Sequence, residues 1–241
     1  MSVHQSIPST RTAGAERAML DRTADELCRT FAIAATPPSA WGAWAQLGDL
    51  RPGHPAFVLR RTGDGEEGGG GLALDTQRWD ISGGQACWPT TQILSVSLPW
   101  WRRLAERPAQ RCLIPLTACT ALLPNRAGMA AGAGRSAWFD MVDEPVFTVA
   151  GLWRDTGTAR GFAMLGCLAD APFSILPVVI APCDRDRWLD APWDMAAPLI
   201  APVPAERVRI GLPEPIASFY ADGHDRPWAP APIATVPGVE R

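Results

Sequence analysis

At 241 residues, with 47% apolar and 20% charged side chains, the chain has a globular composition and can bury a large core without disulfides or a structural metal. A net charge of −3 and a pI near 5.6 exclude a global attraction to nucleic acid, so any such surface must be a local cluster of cations. Those cations are all Arg, because the sequence contains no Lys.

Residues 1–13 are small and polar and read as a loose terminus. Gly14–Cys28 is expected to be helical, with Ala15, Met19, Leu20 and Leu27 near helical spacing. Phe31–Ala34 reads as a strand, and Thr36–Ser39 as a turn into a short helix carrying Trp41, Trp44 and Leu47. Arg51–Pro55 is a turn before a strand at Ala56–Arg60, and the Gly-rich run Thr62–Gly71 is a hairpin tip. Leu72–Leu74 and Gln77–Ile81 suggest further strand, broken at Gly83-Gly84. Ile93–Leu98 leans to strand until Pro99, where an amphipathic helix through Arg107 is expected.

Three apolar runs then stand out: Arg111–Pro115, Phe147–Arg154 and Leu176–Ile180, each stopped by Pro, Gly or a charge. They read as central strands of one sheet. Pro124–Gly134 is a loop, Trp138–Met141 and Val146–Leu152 are expected to pair as a hairpin, and Phe162–Leu168 and Pro177–Ala181 continue the sheet. Asp184–Leu189 is a helical turn, Arg207–Ile210 a last strand, and Ala229–Arg241 a Pro-rich tail.

The six Cys (28, 87, 112, 119, 167, 183) form no CxxC pair and have no His at ligand spacing, so neither zinc nor any other cofactor is expected. No run reaches ~18–20 apolar residues and the start lacks a signal-peptide stretch, which points to a cytoplasmic protein with no membrane partner. Only three His occur, none in a triad-like spacing. Trp100-Trp101-Arg102-Arg103, with Arg107 and Arg111 behind, combines aromatics and cations that suit single-stranded DNA. The plainer reading puts the Trp face, Trp100 included, in the core, and Trp153 is expected there too.

These landmarks, in order, resemble the SRAP family, SOS-response-associated peptidase-like proteins that process abasic sites in single-stranded DNA. Leu27–Ile33 looks like the family's Met-Cys-Gly-Arg-Phe start, Pro52–Val58 its strand entry, and Arg78–Ile81 its Arg-Trp-Gly-Leu. Arg111–Pro115 matches Arg-Cys-Leu-Ile-Pro, Phe147–Arg154 matches Phe-x-x-Ala-Gly-Leu-Trp, and Pro177–Ile180 matches Pro-Val-Ile-Leu. The resemblance implies an α+β fold on a curved, barrel-like, mainly antiparallel sheet with short flanking helices. It places the SRAP-like domain at 27–197, between an N-terminal extension (1–26) and a Pro-rich C-terminal segment (198–241). It also suggests Arg78, beside Trp79, as DNA-facing, and with Trp101, Arg102 and Arg103 of the aromatic and cationic patch these are the candidate DNA-binding residues.

The family's chemistry needs a cysteine with a free α-amine, which attacks the abasic aldehyde before the thiol closes a thiazolidine. Cys28 occupies that position with 27 residues ahead of it, so its nitrogen is an amide and not a nucleophile. The family's other working positions fall on Thr91, Ala121 and Phe173, and Ala and Phe carry no titratable group for general acid–base work. The implied function is a DNA-damage-class protein with single-stranded DNA as partner and degenerate catalysis, a pseudoenzyme. The alternatives are an active crosslinker released by cleavage before Cys28, and an interaction module with a protein partner.

Overall fold

A computed structural model describes residues 17–33, 48–62, 70–82, 90–124, 136–157, 159–170 and 172–211. The expected helix around Trp41 and Trp44, the 124–134 loop beyond Pro124 and the tail at 229–241 lie outside these residues.

The described chain opens with strand β1 (Ala18–Leu20), its Ala18 and Leu20 buried. Helix α1 (Ala24–Thr30) starts only where a capping box can form: the Thr23 hydroxyl accepts the Glu26 N–H, and the Glu26 carboxylate accepts the Thr23 N–H. The helix expected from Gly14 is therefore corrected, because residues 18–20 gain more by pairing in the sheet than by extending an uncapped helix. The strand expected at Phe31–Ala34 is a helix C-terminus over its described part. The Phe31 and Ile33 N–H groups close on Leu27 and Cys28 carbonyls, and Ala32 adopts φ 52.

Strand β2 (Gly48–Leu50) and a turn lead to the hairpin of β3 (Pro55–Arg61) and β4 (Leu72–Arg78), paired from Pro55↔Arg78 to Arg61↔Leu72. Of the Ile93–Leu98 run only its start is extended, in β5 (Gln92–Ile93), and Pro99 opens α2 (Pro99–Ala105). Then come β6 (Arg111–Leu116), β7 (Ala118–Leu122), β8 (Ser136–Met141), β9 (Phe147–Asp155) and β10 (Arg160–Leu168). The short β11 (Ile175–Pro177) and β12 (Val179–Ile180) precede α3 (Arg185–Asp190), α4 (Trp193–Ala196) and β13 (Val208–Ile210).

The fold is a mixed α+β arrangement of one large sheet and a few short helices. Strand order is β12-β9-β6-β3-β4-β10-β11-β7-β1-β2, with β8 joining β7 to β13 and β5 lying beside β10. Because β9 also pairs β10, the pairings of β9, β6, β3, β4 and β10 close on themselves. All described pairings are antiparallel except those of β10 with β4 and β5. The apolar runs of β6, β9 and β12 are neighbours, as their composition suggests.

The expected hairpin of 138–141 with 146–152 does not form. β9 has β6, β10 and β12 as partners, whereas β8 pairs β7 and β13. Glu144, in the connection, takes Arg207 and Arg185, which draws that turn toward the C-terminal segment. Residues on either side of 27–197 also take part in the sheet: β1 sits between β7 and β2, and β13 lies on β8.

Arg111 joins the sheet to the helices. It is 1% exposed, and its Nε donates to the Ala105 carbonyl (2.6 Å) and Nη1 to those of Trp188 (3.0 Å) and Ala191 (2.6 Å). The guanidinium lies 5.7 Å from the Trp188 ring and 5.6 Å from that of Trp193. Burial pushes its pKa down to about 10, so it stays charged at neutral pH. Arg111→Met should cost about 3 kcal/mol or more in urea unfolding, since it strands several buried carbonyls. Ala32→Gly should instead stabilise by up to about 1 kcal/mol, by relieving the left-handed backbone.

Candidate nucleic-acid interface

Cys28 and the substituted positions Thr91, Ala121 and Phe173, expected to be inactive, lie in the core or against it. Cys28 lies within α1, half-buried against the core, after a fully buried Leu27. Thr91 is buried, and its carbonyl accepts both the Trp79 indole N–H (3.0 Å) and the Met164 N–H (2.9 Å). Ala121 (3% exposed) faces Ala137 on β8, and Phe173 (4% exposed) packs its ring 6.1 Å from Phe139. The structure brings the Ala121 and Phe173 segments together, since Ser174 donates its N–H to the Leu122 carbonyl. Thr91 belongs instead to the Trp79–Phe162 stack between β4 and β10. The Ala121 and Phe173 side chains are hydrocarbon and can neither give nor take a proton.

Two further thiols, Cys112 and Cys167, are held in their unreactive protonated form. Burial raises the Cys112 thiol far above its usual range and pushes Cys167 up to about 11, so both stay protonated at neutral pH. Among the described residues no group of three or more His, Cys, Asp or Glu is placed to hold a metal ion. No helix among them is long and apolar enough to cross a membrane.

The aromatic residues suggested for DNA divide differently from expectation. Trp79 is buried, stacked on Phe162 at 6.3 Å with rings 7° apart, and cannot meet a base. On α2, Trp101, Leu104 and Ala105 turn inward, so Trp100 faces out at 49% exposure instead of filling the core. Arg103 falls three residues further along that outer face and is exposed, and Arg107, just past the helix end, is exposed as well. Arg102 is committed to the helix surface, 2.6 Å from Glu106 and 5.0 Å from the Trp193 ring. Trp153 is half-buried, not core, with the Arg60 guanidinium 5.0 Å from its ring.

The sheet brings one further residue, Arg154, against Trp100. Arg154 reaches the Trp100 ring (5.5 Å) and is anchored on the Ile81 (2.6 Å) and Ser82 (3.2 Å) carbonyls. Gly161 on β10 pairs with both Arg154 on β9 and Arg78 on β4, setting the two Arg at one level of the sheet. The Asp80 carbonyl lies where a Gly161 Cβ would go, so only glycine admits the 80–82 turn that Arg154 grips. On its other side Arg78 pairs with Pro55 on β3, and the Arg51–His54 turn is tied to the next residue, Trp79. Sequence spacing points to Trp100, Arg78, Arg103 and Arg107, whereas the Arg78–Arg154 pair is invisible in the order of the chain. Strand register, not proximity in the chain, assembles it.

The electrostatics follow from this crowding. Burial lowers the His54 pKa, the neighbouring Arg51 and Arg78 lower it further, and Asp49 opposes them. Arg17 and Arg51 share the Asp49 carboxylate, whose pKa stays below the usual range because these hydrogen bonds outweigh its desolvation.

The chain matches no protein-family model and no curated protein. Its fold is similar to three crystal structures. A protein from Bordetella bronchiseptica has a TM-score of 0.59 at 21% identity, over 82% of this chain and 98% of that one. A phage-related protein from the same organism has 0.60 at 16%, over 82% and 93%. A protein from Bacteroides thetaiotaomicron has 0.58 at 13%, over 80% and 90%. At these identities the likeness concerns the fold alone.

Because the folded chain resists protonating His54, the unfolded chain binds that proton more readily below a pH of about 6.5. Stability should be complete above that value and decline as pH falls toward the lowered folded-state pKa. His54→Gln should flatten this part of the curve when urea midpoints at pH 7.5 and 5.5 are compared.

Proposed function

We propose that this chain is a SRAP-like protein that binds single-stranded DNA without covalently capturing it. The observation that carries the reading is the outward Trp100, with Arg154 against its ring, Arg103 on the same helix face and Arg107 exposed just past the helix end. An aromatic face beside cations holds a strand by base stacking and phosphate attraction, with little sequence preference. The closed circuit of pairings through β9, β6, β3, β4 and β10 supports the curved, barrel-like sheet that the resemblance implies.

Loss of chemistry is part of the proposal. Ala121 and Phe173 sit in apolar packing, and the Cys28 nitrogen lies within a helix. Release of an amine by cleavage before Cys28 is disfavoured, because β1 lies inside the sheet and the buried Leu27 would have to enter a protease. A protein partner is the second reading, favoured by Leu94 and Leu98, which are exposed near Trp100 in the chain.

A labelled oligothymidylate titrated at two salt concentrations tests the proposal. Binding should weaken as salt rises, and Trp100→Ala should weaken it by about 1–3 kcal/mol. Salt-independent or absent binding would favour the protein partner. An oligonucleotide carrying an abasic site should give no shifted band on a denaturing gel, and a covalent adduct would overturn the reading.

A further inference from the structure

We propose that the Arg51–His54 turn and the end of β4 form a phosphate-binding site, which takes one phosphate between the Arg51 and Arg78 guanidiniums with the His54 imidazole as third donor. A strand's phosphate as its natural occupant rests on the nucleic-acid reading above; the site itself does not.

The two arms of the site are tied together by backbone. The Gly53 N–H donates to the Trp79 carbonyl (2.9 Å), the Trp79 N–H to the His54 carbonyl (2.8 Å), and the His54 N–H to the Arg51 carbonyl (3.1 Å). Gly53 adopts φ +82, and a Cβ there would come within 3.7 Å of Arg78 Nη2, so the Arg78 guanidinium lies over the turn. The turn and the end of β4 are therefore fixed to one another before any ligand arrives, which lowers the ordering cost of binding.

Charge on this face is in surplus and accessible. Arg17, Arg51 and Arg78 stand against Asp49 and Asp80, three positive charges to two negative. Asp80 is 1% exposed and turned inward, its Oδ1 accepting the N–H groups of Ser82 and Thr90 (both 2.9 Å). Asp49 is nearly buried as well, whereas the Arg51 and Arg78 side chains are half-exposed or more. Arg51 spends Nε and Nη2 on Asp49, leaving part of its fork to turn outward.

His54 gives the site its signature. Arg51 and Arg78 repel its proton, and Asp49 is the opposing carboxylate. An anion bound among them reverses the local field, so the imidazole takes up a proton from solvent as phosphate enters and donates it in a charge-assisted hydrogen bond. By linkage, phosphate binds more tightly to the protonated form.

The test follows the imidazole C–H proton resonances of the full chain by NMR, with His54→Gln assigning the His54 signal. Inorganic phosphate should move its titration midpoint up by about one pH unit relative to chloride of equal ionic strength, a tenfold preference of phosphate for the protonated form. Arg78→Gln should abolish the movement while leaving the urea midpoint at pH 7.5 in place. An equal midpoint in phosphate and chloride would overturn the site. Oligothymidylate forms a separate arm. A strand that binds without moving His54 removes the strand as occupant. A phosphate response with no strand binding sinks the nucleic-acid reading and leaves the site standing.

Discussion

The structure depends on one buried cation. Arg111 begins β6 and is the point at which the ends of α2 and α3 meet the sheet, through carbonyls those helices cannot satisfy internally. Its positive charge matches the negative C-terminal ends of both helices, and the Trp188 and Trp193 rings replace water around it. Trp188 closes the arrangement by donating its indole N–H to the Cys112 carbonyl (2.9 Å), next to Arg111 in the chain. A guanidinium suits this place because it presents several donors in one plane.

That junction determines how α2 sits, and hence what it shows to solvent. With Ala105 fixed under Arg111, Trp101 and Leu104 point to the core, and Trp100 must point away. The sheet supplies the rest of the surface. Gly161 lets the 80–82 turn settle on β10, and Arg154 grips that turn while its guanidinium meets Trp100. Core and surface are thus consequences of the same packing.

Much of the scaffold was legible in the sequence, and the reason is periodicity. β6 and β9 are apolar along most of their length because neighbours cover both faces, and they were readable as central strands. The turn at Arg51–His54, the β3–β4 hairpin and the Pro99 helix start follow from local rules. Non-local competition defeated the rest. Residues 18–20 have helical spacing but pair with β2 and β7, and β8 has the alternation of a hairpin arm but finds other partners. The candidate surface was half visible for the same reason. Arg78 and Arg103 stood in recognisable segments, whereas Arg154 meets Trp100 only through register, and a one-residue rotation of α2 exchanged the roles of Trp100 and Trp101.

The placement of β1 has a consequence for handling the protein. Its three residues fill the space between β2 and β7, so a chain trimmed at the apparent start of the resemblance would leave both neighbours with bare amide and carbonyl groups. Such rims are templates for other chains. A shortened form would be prone to self-association through open sheet borders, and the leading residues act as a built-in plug against it.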